Sequence, residues 1–208
     1  MLTKFTILIS FIFFLLTSCN IESKKNVNSF QIYVTDTSLT HRQYNEVDFS
    51  RRMSSLLNLS TIDKGVDSFE LRIWVTSMMI PKQLTILKFG QNKWVSYEYR
   101  YYPNDYLIDS MTVYNMPIPK EIDEIVVHLK QKEILDLPSQ IAIPNFEDRI
   151  ADGQTCSIEI STNKFYKALQ YHCPEHFSDE LNNIKFMELI NFLNRYFKFY
   201  IPWCKPSE

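Results

Sequence analysis

The stretch Phe69–Thr76, FELRIWVT, decides how this chain is read. Phe69, Leu71, Ile73 and Val75 alternate with Glu70, Arg72, Trp74 and Thr76, the period of two that sends successive side chains to opposite faces of a strand. One face of that strand is expected to meet a core. Downstream, Gln83 to Phe89 and Lys93 to Tyr102 flank Gly90-Gln91-Asn92 and read as a hairpin, and Leu107 to Tyr114 follows the turn Pro103-Asn104-Asp105. Strands in such quick succession make an antiparallel meander; parallel strands would need crossover helices between them. Upstream, Phe30 to Val34 (FQIYV) is a short strand. Gln43 to Leu59 carries a helical stripe of Val47, Phe49, Met53, Leu56 and Leu57, with Arg51 and Arg52 on the other side.

Toward the C-terminus, Pro117 and Pro119 close the sheet region, and Ile122, Ile125, Val126 and Leu129 recur at helical spacing. The pattern fades through Leu135-Asp136-Leu137-Pro138 into a loop that runs to about Gly153, long for a compact domain. Thr155 to Ser161 and Phe165 to His172 flank Thr162-Asn163-Lys164 as a second hairpin. A final helix is expected to take Ser178 as its N-cap, Asp179 and Glu180 against its dipole, and an apolar face of Leu181, Ile184, Met187, Ile190, Leu193, Phe197 and Tyr200, widened by Phe186, Leu189 and Tyr196. No period of 20 to 50 residues recurs. The expected architecture is α+β, a single domain over residues 30–208 in which an antiparallel sheet, meander plus C-terminal hairpin, packs with helices.

The first nineteen residues, MLTKFTILISFIFFLLTSC, stand apart from that body. Lys4 precedes an unbroken apolar run from Ile7 to Leu16, and small residues follow, the order of a secretory signal. A membrane span needs roughly 18 or more apolar residues. Leu16-Thr17-Ser18-Cys19 resembles the bacterial lipoprotein processing site, where the last cysteine receives a diacylglycerol before cleavage on its N-terminal side. The resemblance implies that residues 1–18 are a removed signal peptide and that Cys19 is the lipidated first residue, bearing chains such as palmitate. The polar stretch 19–29 becomes a flexible tether. Asn20 stands where an aspartate would signal inner-membrane retention, so the resemblance favours the outer membrane of the cell envelope.

Composition removes several function classes. The 208 residues carry a formal net charge of -2, which offers no electrostatic case for nucleic acid. The chain has 3 glycines, Gly65, Gly90 and Gly153, too scattered for a phosphate loop, so no nucleotide or other cofactor is expected. G-x-S-x-G, H-E-x-x-H and C-x-x-C motifs are missing as well.

Four groups of residues remain as candidates. Tyr97, Tyr99 and Tyr101 share one face of their strand, a binding face for a sugar or a protein, or the cover of a sheet under a helix. The opposite face, Trp94, Ser96, Glu98 and Arg100, is expected to meet solvent. His172, Cys173 and His176 lie close in sequence, but nothing completes a zinc set, and no metal is expected. With Cys19 reserved for lipid, Cys156, Cys173 and Cys204 allow one disulfide. The hairpin sets Cys156 opposite a residue near Tyr171, which favours Cys156 with Cys173 given a bulge; Cys173 with Cys204 is the rival. Asp152 and Glu159 are paired carboxylates of the kind glycoside hydrolysis uses, and equally a turn residue and a solvent-facing strand acid. The folded body resembles small secreted domains without known activity, which implies no chemistry. The expectation is a membrane-anchored, non-enzymatic binding module with an envelope protein partner. The alternatives are an envelope hydrolase whose acids come from separated parts of the chain, and an inhibitor or immunity-type lipoprotein.

Overall fold

The computed structural model describes residues 31–33, 46–77, 81–104, 107–146, 150 and 153–200. Residues 1–29, expected to comprise a signal peptide, the lipidated Cys19 and a tether, lie outside them. The strands are β1 (Gln31–Tyr33), β2 (Phe69–Ser77), β3 (Lys82–Gly90), β4 (Lys93–Asn104), β5 (Leu107–Asn115), β6 (Gln154–Thr162) and β7 (Phe165–His172). They form a 7-stranded sheet in the order β1-β7-β6-β2-β3-β4-β5. Every pairing is antiparallel except that of the three-residue β1 with β7. The expected α+β architecture, with a meander from β2 to β5 and a C-terminal hairpin β6–β7, is the one observed.

The register of β2 explains the two-sided core. Phe69, Leu71, Ile73 and Val75 line up with Thr162, Ile160, Ile158 and Cys156 of β6 and with Phe89, Leu87, Thr85 and Gln83 of β3. This face is covered by α2 (Ile122–Leu129), by the single-turn α3 (Lys132–Leu135) and by α4 (Leu181–Phe197), through Ile125, Leu129, Ile134, Phe186, Leu189, Ile190 and Leu193. On the other face, Trp74, Leu84, Ile86 and Tyr101 meet Met53 and Leu57, which belong to α1 (Glu46–Leu56) and the residue after it. Phe49 sits edge-on to Trp74 at 5.8 Å. The helical stripe read over 43–59 therefore packs as its spacing requires, with Arg51 and Arg52 exposed.

Alternation along β2 predicts one buried face and one wet one. Instead its first seven residues are all buried. A central strand with helices above and below has no solvent side, so Glu70 and Arg72 are enclosed with their partners.

The fading helical pattern ends in α3, and the long loop after it contains a 3-10 turn at Gln140–Ala142 and side chains that finish the sheet. β1 pairs with β7 only at Phe165, Tyr166 and Lys167. Farther along β7, the amide of Gln170 donates to Ser139 Oγ (2.9 Å) and that of His172 to Gln140 Oε1 (2.8 Å). Two polar side chains thus do for the end of β7 what a neighbouring strand would do.

α4 starts later than expected. Its N-cap is Glu180, not Ser178; the Glu180 carboxylate accepts from the amides of Asn182 (2.7 Å) and Asn183 (3.0 Å). The buried stripe is Asn183, Phe186, Leu189, Ile190, Leu193 and Phe197, while Leu181, Ile184 and Tyr200 are exposed. Asn183 earns its place inside by accepting from Gln140 Nε2 at 2.8 Å. That contact joins the helix to the loop that caps β7. No helix among the described residues is long and apolar enough to cross a membrane.

Candidate functional site

The chemistry that sequence reasoning left on the outside gathers under α1. Arg72 is 2% exposed and sends Nε to Glu70 Oε1 (2.8 Å), one terminal nitrogen to Ser54 Oγ (2.7 Å) and the other to the Ser60 carbonyl (2.6 Å). Glu70 also faces the Lys88 ammonium at 3.3 Å. One strand over, Glu159 accepts from Trp74 Nε1 and from the Tyr166 hydroxyl, each at 2.7 Å. Asp63 closes the set by accepting from Arg51 Nε and a terminal nitrogen (3.1 and 2.7 Å). Burial, and then the charge of Glu159, push the Tyr166 phenol well above its ordinary range. Buried charges persist when they are paired and fully hydrogen-bonded. Arg72 and Glu70 meet that condition together, and Glu159 is hydrogen-bonded at both carboxylate oxygens, so the chemistry of this network is that of holding strands and helix in one arrangement.

The register explains why Glu159 is inside. It sits opposite Arg72 of β2 and Ala168 of β7, on the face that α1 covers. Of the residues that could have surrounded it as catalytic partners, His172 is half-buried at the far end of the hairpin opposite Thr155, and His176 is exposed. Asp152 lies outside the described residues. Among the described residues no group of three or more histidines, cysteines or acids is arranged to hold a metal.

Tyr97, Tyr99 and Tyr101 do share a face, the α1 face, but at three depths. Tyr101 is fully buried, and its hydroxyl has no hydrogen-bond partner among the described residues; burial pushes its phenol up. Tyr99 is half-buried, packed beside Trp74 and Leu84. Tyr97 lines an open groove of about 730 Å³ between the 60–68 segment and the β3–β4 turn, together with Ser60, Asp67, Lys88 and Lys93. The stripe therefore seals the sheet at Tyr101 and is partly exposed at Tyr99 and Tyr97, the last of which lines the groove. The opposite face corrects the expectation of solvent. Ser96 and Glu98 are buried, and Trp94 packs on Phe89 (5.0 Å) and Phe69 (5.6 Å). Glu98 pairs with Arg100, whose exposed guanidinium lies 5.3 Å from the Tyr114 ring centre.

The cysteine expectation is also corrected. Cys156 stands directly opposite Tyr171, as the hairpin requires, but it is a free, buried thiol and does not pair with Cys173. Without a bulge in β6–β7, Cys173 lies one residue past the last rung, in a left-handed turn with φ 41°. Its amide donates to the Gln154 carbonyl. The rival pairing involves Cys204, outside the described residues. Burial pushes the Cys156 thiol far up, leaving almost no thiolate at neutral pH. Iodoacetamide at pH 8 is expected to label Cys156 only after denaturation, read by peptide mass; native labelling at the denatured rate would contradict its burial.

No family model, no curated protein and no solved structure matches this chain.

Proposed function

We propose that this protein is an envelope lipoprotein, held at the membrane by acyl chains on Cys19 and working there as a non-enzymatic binding module. The observation that carries the reading is the order of Lys4, the apolar run Ile7 to Leu16 and the quartet Leu16-Thr17-Ser18-Cys19. Each methylene of a chain buried in lipid contributes about 0.8 kcal/mol, so one chain holds marginally and two or three hold durably. Asn20 after the cysteine favours the outer membrane. The role of Glu159 as an acceptor for Trp74 and Tyr166 supports binding over catalysis, since its carboxylate is occupied in holding the core.

Metabolic labelling with an alkyne fatty acid tests the anchor. Wild-type protein is expected to take up label and to fractionate with membranes, and Cys19→Ala to lose both. Unlabelled wild type, or equal labelling of Cys19→Ala, would overturn the reading.

A further inference from the structure

The two edges of the sheet are treated differently. At one, β7 is covered by β1 and then by Ser139 and Gln140. At the other, β5 has no neighbour among the described strands, and nearly all of it is exposed on both faces. Met111, Val113 and Tyr114 keep 47%, 45% and 43% of their surface accessible. Natural sheets guard such an edge with lysine, proline, a bulge or an inward charge. β5 has that protection only at its start, where the register shift against Tyr102 and Pro103 leaves Asp109 as the extra residue. The following run Ser110–Met116, SMTVYNM, contains no charge and no proline.

The hydrogen-bond phase shows which groups are free. The Met116 amide donates to the Ser96 carbonyl, which continues the ladder in which Tyr97 faces Asn115. In an antiparallel pair, bonded and non-bonded residue pairs alternate. Tyr114, Thr112 and Ser110 therefore turn their amides and carbonyls toward β4, and Asn115, Val113 and Met111 turn theirs outward.

We propose that β5 is a homodimer interface, in which two copies of this chain pair their β5 strands antiparallel about a two-fold axis at Val113. That register sets Val113 opposite itself and Met111 opposite Asn115, so every outward-turned position meets another. Each such pair can exchange two N–H···O=C bonds. Asp109 with its bulge falls opposite Pro117, so the paired segment of each copy ends where the other's does. A second copy is the occupant because the run is uncharged: it has no charge to complement a foreign strand and none to repel its own image. An isologous contact also closes on itself, consuming the bare edge of both copies and leaving only the guarded edges outside. The interface is independent of Cys19, so its failure and that of the lipid anchor are separately visible.

Sedimentation equilibrium of the full chain in detergent tests it. Wild type is expected to show the mass of a dimer. Val113→Lys, which places like charges face to face, and Val113→Glu, which does the same with the other sign, are each expected to show half that mass. Mixing the two variants is expected to restore the dimer, because position 113 faces position 113. Circular dichroism should stay unchanged in each variant, since Val113 is half-exposed. A monomeric wild type, a Val113→Lys protein that remains dimeric, or charged variants that fail to recombine would each overturn the proposal; the first would leave the edge to a foreign strand.

Discussion

Arg72→Ala is expected to lower the free energy of unfolding by about 3–5 kcal/mol, the cost of removing one partner from a buried ion pair. The guanidinium satisfies Glu70, Ser54 and the Ser60 carbonyl together, tying β2 to α1 and to the turn beyond it. Alanine would leave the Glu70 carboxylate with only the half-exposed Lys88 at 3.3 Å, which places the effect toward the lower end of that range. Urea midpoints at constant slope are the measurement. The double variant Arg72→Met/Glu70→Leu is expected to recover most of the loss, because apolar residues of similar volume replace a buried pair with little cost. If Arg72→Ala costs under about 1 kcal/mol, well short of the cost of an orphaned buried charge, the network is not what joins helix to sheet.

Glu159→Ala is expected to be the other large loss, about 1–3 kcal/mol for each of two orphaned donors, Trp74 Nε1 and the Tyr166 hydroxyl. Both are buried, and each donates to a Glu159 carboxylate oxygen. Glu159→Gln keeps one carbonyl oxygen and is expected to lose less, one donor at a time. Trp74 fluorescence followed through urea unfolding separates the two variants. Equal stability of Glu159→Ala and wild type would free Glu159 for another role and weaken the binding-module reading with it.

Local pattern carried most of the element list. The alternation from Phe69, the turn at Gly90-Gln91-Asn92 and the second hairpin at Thr162-Asn163-Lys164 follow from residue preferences and spacing, so their strands appear within a residue or two of expectation. The N-terminus of α4 slipped because Ser178 and Glu180 are both capable caps, and only the path of the chain selects the one whose carboxylate reaches the Asn182 and Asn183 amides. The lining of the groove, brought together from the 60–68 segment and the β3–β4 turn, has no spacing signal at all.

The sequence by itself determined the alternation of β2, the meander, the two hairpins and the amphipathic helices, because periodicity and turn chemistry act over a few residues. The quartet Leu16-Thr17-Ser18-Cys19, through its resemblance to a lipoprotein processing site, also supplied the proposed address. Only the tertiary structure decided that both faces of β2 are covered. Polar residues on an alternating strand look the same in sequence whether they meet water or a second layer. Here α1 lies over Glu70, Arg72 and Glu159, and the partners that make their burial tolerable come from Ser54, Ser60 and Tyr166, distant along the chain. The same holds for the sheet edges: Ser139 and Gln140 guard β7 and nothing described guards β5, a difference set by strand order, which no local pattern encodes.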